Sequence, residues 1–133
     1  MAYYKFARAI MESKPIEVYN HGDMSRDFTY IDDIVDGVVA AIEHLPSANP
    51  TSFALYNLGN NQPENLMGFI ETLEKHLGHK AEKIYCEMQP GDVPATMADI
   101  EITQHELGWE PKTIINDGLK LFAEWFKEYN GIS

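Results

Sequence analysis

The spacing of apolar residues changes repeatedly along this chain, and that change limits what it can build. Tyr3, Phe6, Ala7 and Ile10 have helical spacing, as do Ile34, Val35, Val38, Val39, Ile42 and Leu45. A third stripe runs through Leu66, Phe69, Ile70, Leu73 and Leu77. A fourth, Ile115, Leu119, Phe122, Phe126 and Tyr129, steps by 4, 3, 4 and 3. Between them lie short stretches with strand character: Ile16–Tyr19, Arg26–Tyr30, Ala54–Leu58 and Lys83–Met88. Helices and short strands in alternation predict an α/β fold.

Local signals set the expected boundaries. Pro15 ends the first helix, because a residue before proline disfavours the α region. Asn20-His21-Gly22-Asp23 is a turn by composition. Asp32 and Asp33 suit a helix N-terminus through the dipole, and Pro46 and Pro50 bound a loop. Asn61 and Glu64 have capping-box spacing for the helix starting near Pro63, and Gly78 is its expected C-cap. Glu101 to Leu107 is a short helix ended by Gly108. Trp109 and Trp125 are expected as packing anchors between the last two helices.

At 133 residues the chain is long enough for one domain with its own core. Ten Lys and Arg stand against 21 Asp and Glu, a net charge of −11. That balance argues against nucleic acid and against an anionic membrane surface as partners, since both repel such a field. A single cysteine, Cys86, makes neither an internal disulfide nor a thiolate metal cage and reads as a small apolar residue. No apolar run approaches the roughly 20 residues of a membrane span. The default expectation is a cytoplasmic protein.

The sequence has no glycine-rich dinucleotide loop, no Gly-x-x-x-x-Gly-Lys segment, no nucleophile elbow and no His-Glu-x-x-His. No self-contained catalytic constellation is present. Three features invite a binding role. Arg26, one of only two arginines, has the planar fork of donors that suits a phosphate; a surface pair with Asp23 or Asp27 is the alternative. Asp92, in the stiff Gln89–Pro94 loop, is placed to accept from sugar hydroxyls or to serve as an ordinary turn residue. Val18 and Tyr19 present an apolar side chain and a ring either to a base or to the core. His76 and His79 fit a helix C-terminus better than a metal, and Asp23, Asp27, Asp32, Asp33 and Asp36 fit capping and solvation better than a calcium loop.

The motifs Asp23-Met24-Ser25-Arg26-Asp27-Phe28-Thr29-Tyr30-Ile31-Asp32-Asp33, Tyr56-Asn57-Leu58-Gly59-Asn60-Asn61-Gln62-Pro63, Met88-Gln89-Pro90-Gly91-Asp92-Val93 and Glu106-Leu107-Gly108-Trp109-Glu110-Pro111 occur in that order. Together they resemble the extended short-chain dehydrogenase/reductase family. Within it they are most similar to nucleotide-sugar epimerases of the UDP-glucuronate 4-epimerase branch. The resemblance covers nearly the whole chain but only the substrate-binding back part of such an enzyme, so residues 1–133 are expected to form that lobe without the Rossmann domain. It implies that Arg26 contacts the nucleotide diphosphate, that Val18 and Tyr19 lie near the uracil, and that Gln89 and Asp92 close over the nucleotide sugar. It also implies that the N-terminus of the first helix points at the ligand. NAD is the implied cofactor of the complete enzyme; none is expected on this chain alone, because the NAD loop and the Tyr-x-x-x-Lys pair are absent. A UDP-sugar is the implied partner. A nucleotide-sugar 4,6-dehydratase lobe and a non-catalytic, self-associating module are the alternatives, the latter through an apolar face that the missing domain leaves uncovered.

Overall fold

The computed structural model describes residues 2–44 and 53–132. Leu45 and the loop bounded by Pro46 and Pro50 lie outside the described residues. Among the described residues, five α-helices and four short strands follow one another as α1 (Ala2–Met11), β1 (Ile16–Val18), β2 (Ser25–Arg26), α2 (Ile31–Glu43), β3 (Glu64–Asn65), α3 (Leu66–Leu77), β4 (Lys83–Tyr85), α4 (Glu101–Leu107) and α5 (Ile115–Tyr129). The fold is α/β, as the alternating periods predict.

The core is helical on one side and stranded on the other. α3 is its centre: Leu66, Phe69, Ile70, Leu73 and Leu77 are all buried. α5 brings Leu119, Ala123 and Phe126 against it, α1 brings Ala7 and Ile10, and β1 adds Ile16 and Val18. Aromatic rings finish the packing: Phe28 stacks on Phe69 at 4.2 Å, and Tyr3 meets Phe122 edge-on at 5.0 Å. Both sheets have two strands. β1 pairs with β4 in parallel, Ile16 opposite Lys83, and β2 pairs antiparallel with β3, Ser25 opposite Asn65.

Four expectations are corrected. Only Ser25–Arg26 of the second strand pairs; Asp27–Tyr30 continue without a ladder because no strand lies beside them. Ala54–Leu58 form no strand among the described residues. Side chains fasten that segment instead: Thr103 Oγ1 donates to the Asn57 carbonyl at 2.7 Å, Asn57 Nδ2 to the Asp99 carbonyl at 3.0 Å, and the Tyr56 hydroxyl to Glu106 at 2.8 Å. The third helix starts at Leu66, capped by Asn65, whose Oδ1 accepts from the Met67 and Gly68 N–H groups; Asn61 and Glu64 are not its cap. Gly78 and Gly108 close α3 and α4 in the left-handed conformation, as read. The tryptophans do not join the last two helices. Trp109 is buried against α2 and donates Nε1–H to the Asp33 carbonyl at 2.9 Å, and Trp125 is half-exposed on α5, stacked on Tyr129.

α2 has the expected apolar face, but that face points outward. The helix buries only Asp33 and Gly37. Ile31 and Ile42 are 62% and 64% exposed, and Val35, Val38 and Val39 about half. Cys86 is half-buried and free. No helix of the described residues is long and apolar enough to cross a membrane.

Candidate functional site

After β1 the chain reverses through residues 19–22, where Asn20 and His21 both take left-handed backbone angles, φ 48° and 52°. Asn20 Nδ2 donates to the Asp23 carbonyl, and the His21 N–H donates to the Cys86 carbonyl, so both ends of the reversal are tied. Non-glycine residues rarely adopt these angles, so the turn is specified by its surroundings. It delivers β2, and with it Arg26, beside Tyr19.

A second loop closes on the same place. The Asp92 N–H donates to the Gln89 carbonyl at 3.1 Å, with Pro90 and Gly91 between them and Gly91 at φ 85°. Proline then a positive-φ glycine is a type II turn, which only glycine adopts without strain at its third position. Beyond the turn the chain runs beside β2. The Ser25 N–H donates to the Pro94 carbonyl at 2.9 Å and the Thr96 N–H to the Ser25 carbonyl at 3.2 Å.

Between them lies a cavity of about 370 Å³, lined by Tyr19, Arg26 and Asp92 together with Ala2, Glu17, Met24, Asp27, Phe28, Leu66 and Thr96. Ala2 belongs to the first turn of α1, so the positive end of that helix borders the cavity. Arg26 Nη1 donates to the Ser25 and Pro94 carbonyls at 2.8 and 3.2 Å, and Nη2 meets Asp92 Oδ1 at 3.3 Å. Its ion pair is with Asp92, not with Asp23 or Asp27. The guanidinium is thus aimed by two carbonyls and a carboxylate, and it stays partly accessible.

The carboxylates around Arg26 are each engaged. Glu17 accepts the Tyr19 hydroxyl at 2.7 Å, and that hydrogen bond pushes the Tyr19 pKa up, with the Gln89 side chain pulling the other way. Asp27 faces inward: it accepts from the Asn61, Gln62 and Ala98 N–H groups at 3.1, 3.4 and 2.8 Å. Both carboxylates are thus hydrogen-bonded by neutral donors, while the Arg26 guanidinium, paired with Asp92, and the end of α1 border the cavity.

Of the residues singled out in the sequence, Tyr19, Arg26 and Asp92 therefore converge on one cavity. Gln89 sits exposed at the start of the type II turn, within reach of Tyr19. The Val18 side chain is wholly buried in the core, and Val18 is not among the residues that line the cavity. Sequence reasoning missed Asp27 and Asp33. Asp33 is buried and accepts the Thr113 N–H at 3.0 Å. Neither has a local signal, since the partners lie 34 to 80 residues away. Among the described residues no group of three or more His, Cys, Asp or Glu is arranged to hold a metal ion, and His76 hydrogen-bonds Asn116.

Neither the start of α3 nor the turn at Gly59 offers free amides for a pyrophosphate. The N–H groups of Met67 and Gly68 that open α3 already bond Asn65, and a Cβ at Gly59 would lie 2.3 Å from that of Ala98, leaving no open glycine cradle there.

A second hollow, about 340 Å³, is apolar. It runs between Phe28, Tyr30, Ile31 and Ile34 on one side and Ile114, Leu119 and Phe122 on the other.

Residues 2–59 match the family described as NAD dependent epimerase/dehydratase. The chain is 49% identical to an uncharacterised protein of Methanocaldococcus jannaschii, covering 96% of this chain and 38% of that protein. It is 38% identical to UDP-glucuronate 4-epimerase 1 of Arabidopsis thaliana, covering 98% and 33%. Among solved structures it resembles the UDP-glucuronic acid 4-epimerase of Bacillus cereus in complex with UDP-glucuronic acid and NAD. The TM-score there is 0.85 at 31% identity, over 97% of this chain and 40% of that one. The chain spans about two-fifths or less of the length of these relatives.

Proposed function

From the match of residues 2–59 to the NAD dependent epimerase/dehydratase family, we propose that residues 1–133 form the UDP-sugar-binding lobe of a nucleotide-sugar epimerase of the UDP-glucuronate 4-epimerase kind. The observation that carries this reading is the meeting of Tyr19, Arg26 and Asp92 on one cavity at the positive end of α1. Arg26 takes the diphosphate, with a planar fork already aimed by the Ser25 and Pro94 carbonyls. The Tyr19 ring lies against the base. Asp92 accepts from sugar hydroxyls, and Gln89, at the other end of the type II turn, hydrogen-bonds without adding charge. In this reading the lobe binds and orients. The hydride chemistry belongs to NAD and to residues that this chain does not carry, so the chain alone is expected to bind UDP-sugars without turning them over.

UDP titrated calorimetrically into the purified chain, with Arg26→Ala alongside, tests this. Saturable binding that weakens at least tenfold in the variant supports it. No binding by a well-folded chain, or equal binding by both proteins, overturns it.

The outward apolar face of α2 favours a second reading, self-association through Ile31, Val35, Val38 and Ile42. Light scattering after size exclusion reads it directly. A concentration-dependent dimer that Val38→Lys abolishes supports it, and a monomer at all concentrations refutes it.

A further inference from the structure

We propose that Asp27 is the positioning residue of the anion site, the group that holds the second and third chain segments of the cavity in register with Arg26. The proposal rests on the nucleotide-sugar reading above and extends it to a residue that acts through the loops it holds.

Three separate stretches of chain meet at Asp27. Its own stretch carries Arg26. The turn after Leu58 brings the N–H groups of Asn61 and Gln62, which donate to Oδ2 at 3.1 Å and Oδ1 at 3.4 Å. The stretch after the type II turn brings the Ala98 N–H, which donates to Oδ2 at 2.8 Å. The Asp27 N–H donates in turn to Thr96 Oγ1 at 3.3 Å. Asp27 therefore bonds the 96–98 stretch through both its main chain and its carboxylate. That same stretch, four residues earlier, carries Asp92, and two residues before Thr96 it carries the Pro94 carbonyl that aims Arg26.

The arrangement has an electrostatic consequence. A carboxylate next to a phosphate-binding arginine would ordinarily repel the phosphate. Here its oxygens are engaged by three N–H dipoles, which disperse the charge within the protein. Hydrogen bonds from N–H groups to a carboxylate are stronger than neutral ones, so one side chain suffices to fix two loops. Among the described residues, the Asp27 carboxylate supplies the side-chain hydrogen bonds that tie residues 61 and 62 to the stretch of β2.

Gly59 shows how closely the two loops are drawn together. A Cβ there would lie 2.3 Å from the Ala98 Cβ and 3.1 Å from Asp27 Oδ2. Contacts this short are not tolerated, so Gly59→Ala must push the Ala98 stretch off the carboxylate without removing the carboxylate itself. Two variants thus attack one junction from opposite sides.

The test uses the full chain with uniform isotope labelling. Hydrogen exchange is read at the Asn61, Gln62 and Ala98 amides and at the amides of α3 and α5, and UDP and inorganic pyrophosphate are titrated into wild type, Asp27→Asn and Gly59→Ala. Asparagine keeps the size but turns one acceptor into a donor facing a donor. The expected result is exchange at least tenfold faster at the three loop amides, unchanged exchange in α3 and α5, and at least tenfold weaker binding of UDP and pyrophosphate in both variants. Wild-type protection at the three amides in Asp27→Asn overturns the proposal, and so does loosened loops with undiminished affinity. Loss of protection throughout α3 and α5 in both variants also overturns it, since Asp27 would then be part of the general fold. If wild type binds pyrophosphate but not UDP, the nucleotide reading fails while the Asp27 arm still decides this one. If wild type binds neither, both fail.

Discussion

Glu74 offers a sharp quantitative check on the fold, because a buried carboxylate has few ways to be stable. It sits on α3 with its side chain 1% exposed. Oε2 accepts from Lys80 at 2.7 Å, and Oε1 accepts from Lys83 and from the Ala81 N–H at 3.0 Å. Burial alone would push its pKa up. The two ammonium groups and the amide outweigh burial and bring it from 4.5 down to about 2. A carboxylate with a lowered native pKa stabilises the fold fully above its unfolded value and loses that contribution as the pH falls through its native value. At about 1.36 kcal/mol per tenfold change in proton affinity, the lowering corresponds to roughly 3 kcal/mol at pH 7. For a chain of this size that is about 10 °C in Tm. Glu74→Gln keeps the shape and an acceptor but leaves Lys83, only 18% exposed, without its counter-charge. Urea unfolding of wild type and variant at pH 7, 4.5, 3 and 2 is the assay. The expected gap is about 2–3 kcal/mol at pH 7, still wide at pH 4.5, and closing towards zero near pH 2. A gap below about 0.5 kcal/mol at pH 7 would refute the charge argument. A gap of constant size down to pH 2 would refute it too, assigning the loss to packing.

Two further outcomes follow from single contacts. Asn65→Ala removes the oxygen that caps α3 and should cost about 0.5–2 kcal/mol in urea unfolding; an unchanged midpoint would mean another group satisfies the Met67 and Gly68 amides. Trp109→Phe keeps a ring beside α2 but removes the 2.9 Å bond to the Asp33 carbonyl, an expected loss of about 1 kcal/mol or somewhat more. A variant as stable as wild type would show that this carbonyl is satisfied elsewhere.

What was legible in the sequence is what is local. The apolar face of α1, the α5 stripe as far as Phe126, and the glycines closing α3 and α4 depend on residues within one or two turns and stand where the spacing puts them, whereas Tyr129, the last of the α5 stripe, is exposed. Strands were less legible, because a strand exists only beside a partner. Ala54–Leu58 have strand composition yet find no ladder, and side chains of α4 and its approach hold them instead. The cap of α3 was misread for a related reason. Asn61 has the right spacing, but its N–H is committed to Asp27 and its φ is 54°, so Asn65 caps the helix. The site divides the same way. Arg26 and Asp92 stand out because an arginine in an acidic chain and a proline-glycine turn are conspicuous residue by residue. Asp27, one aspartate of a large number, gains its place only from amides 34 to 71 residues distant.

The distances along the chain at the Asp27 junction also set an order of events during synthesis. Arg26 leaves the ribosome long before Ala98 does, and at about 5–20 residues per second the interval is about 4–14 s. For most of that interval the β1 segment has no partner to pair with, because β4 lies 67 positions further on, Lys83 opposite Ile16. Helices can form in this time, since their contacts are near at hand. The anion cavity cannot, because one of its walls has not yet been made. A nascent chain therefore acquires its helices first and its binding cavity only once the stretch through Ala98 has emerged.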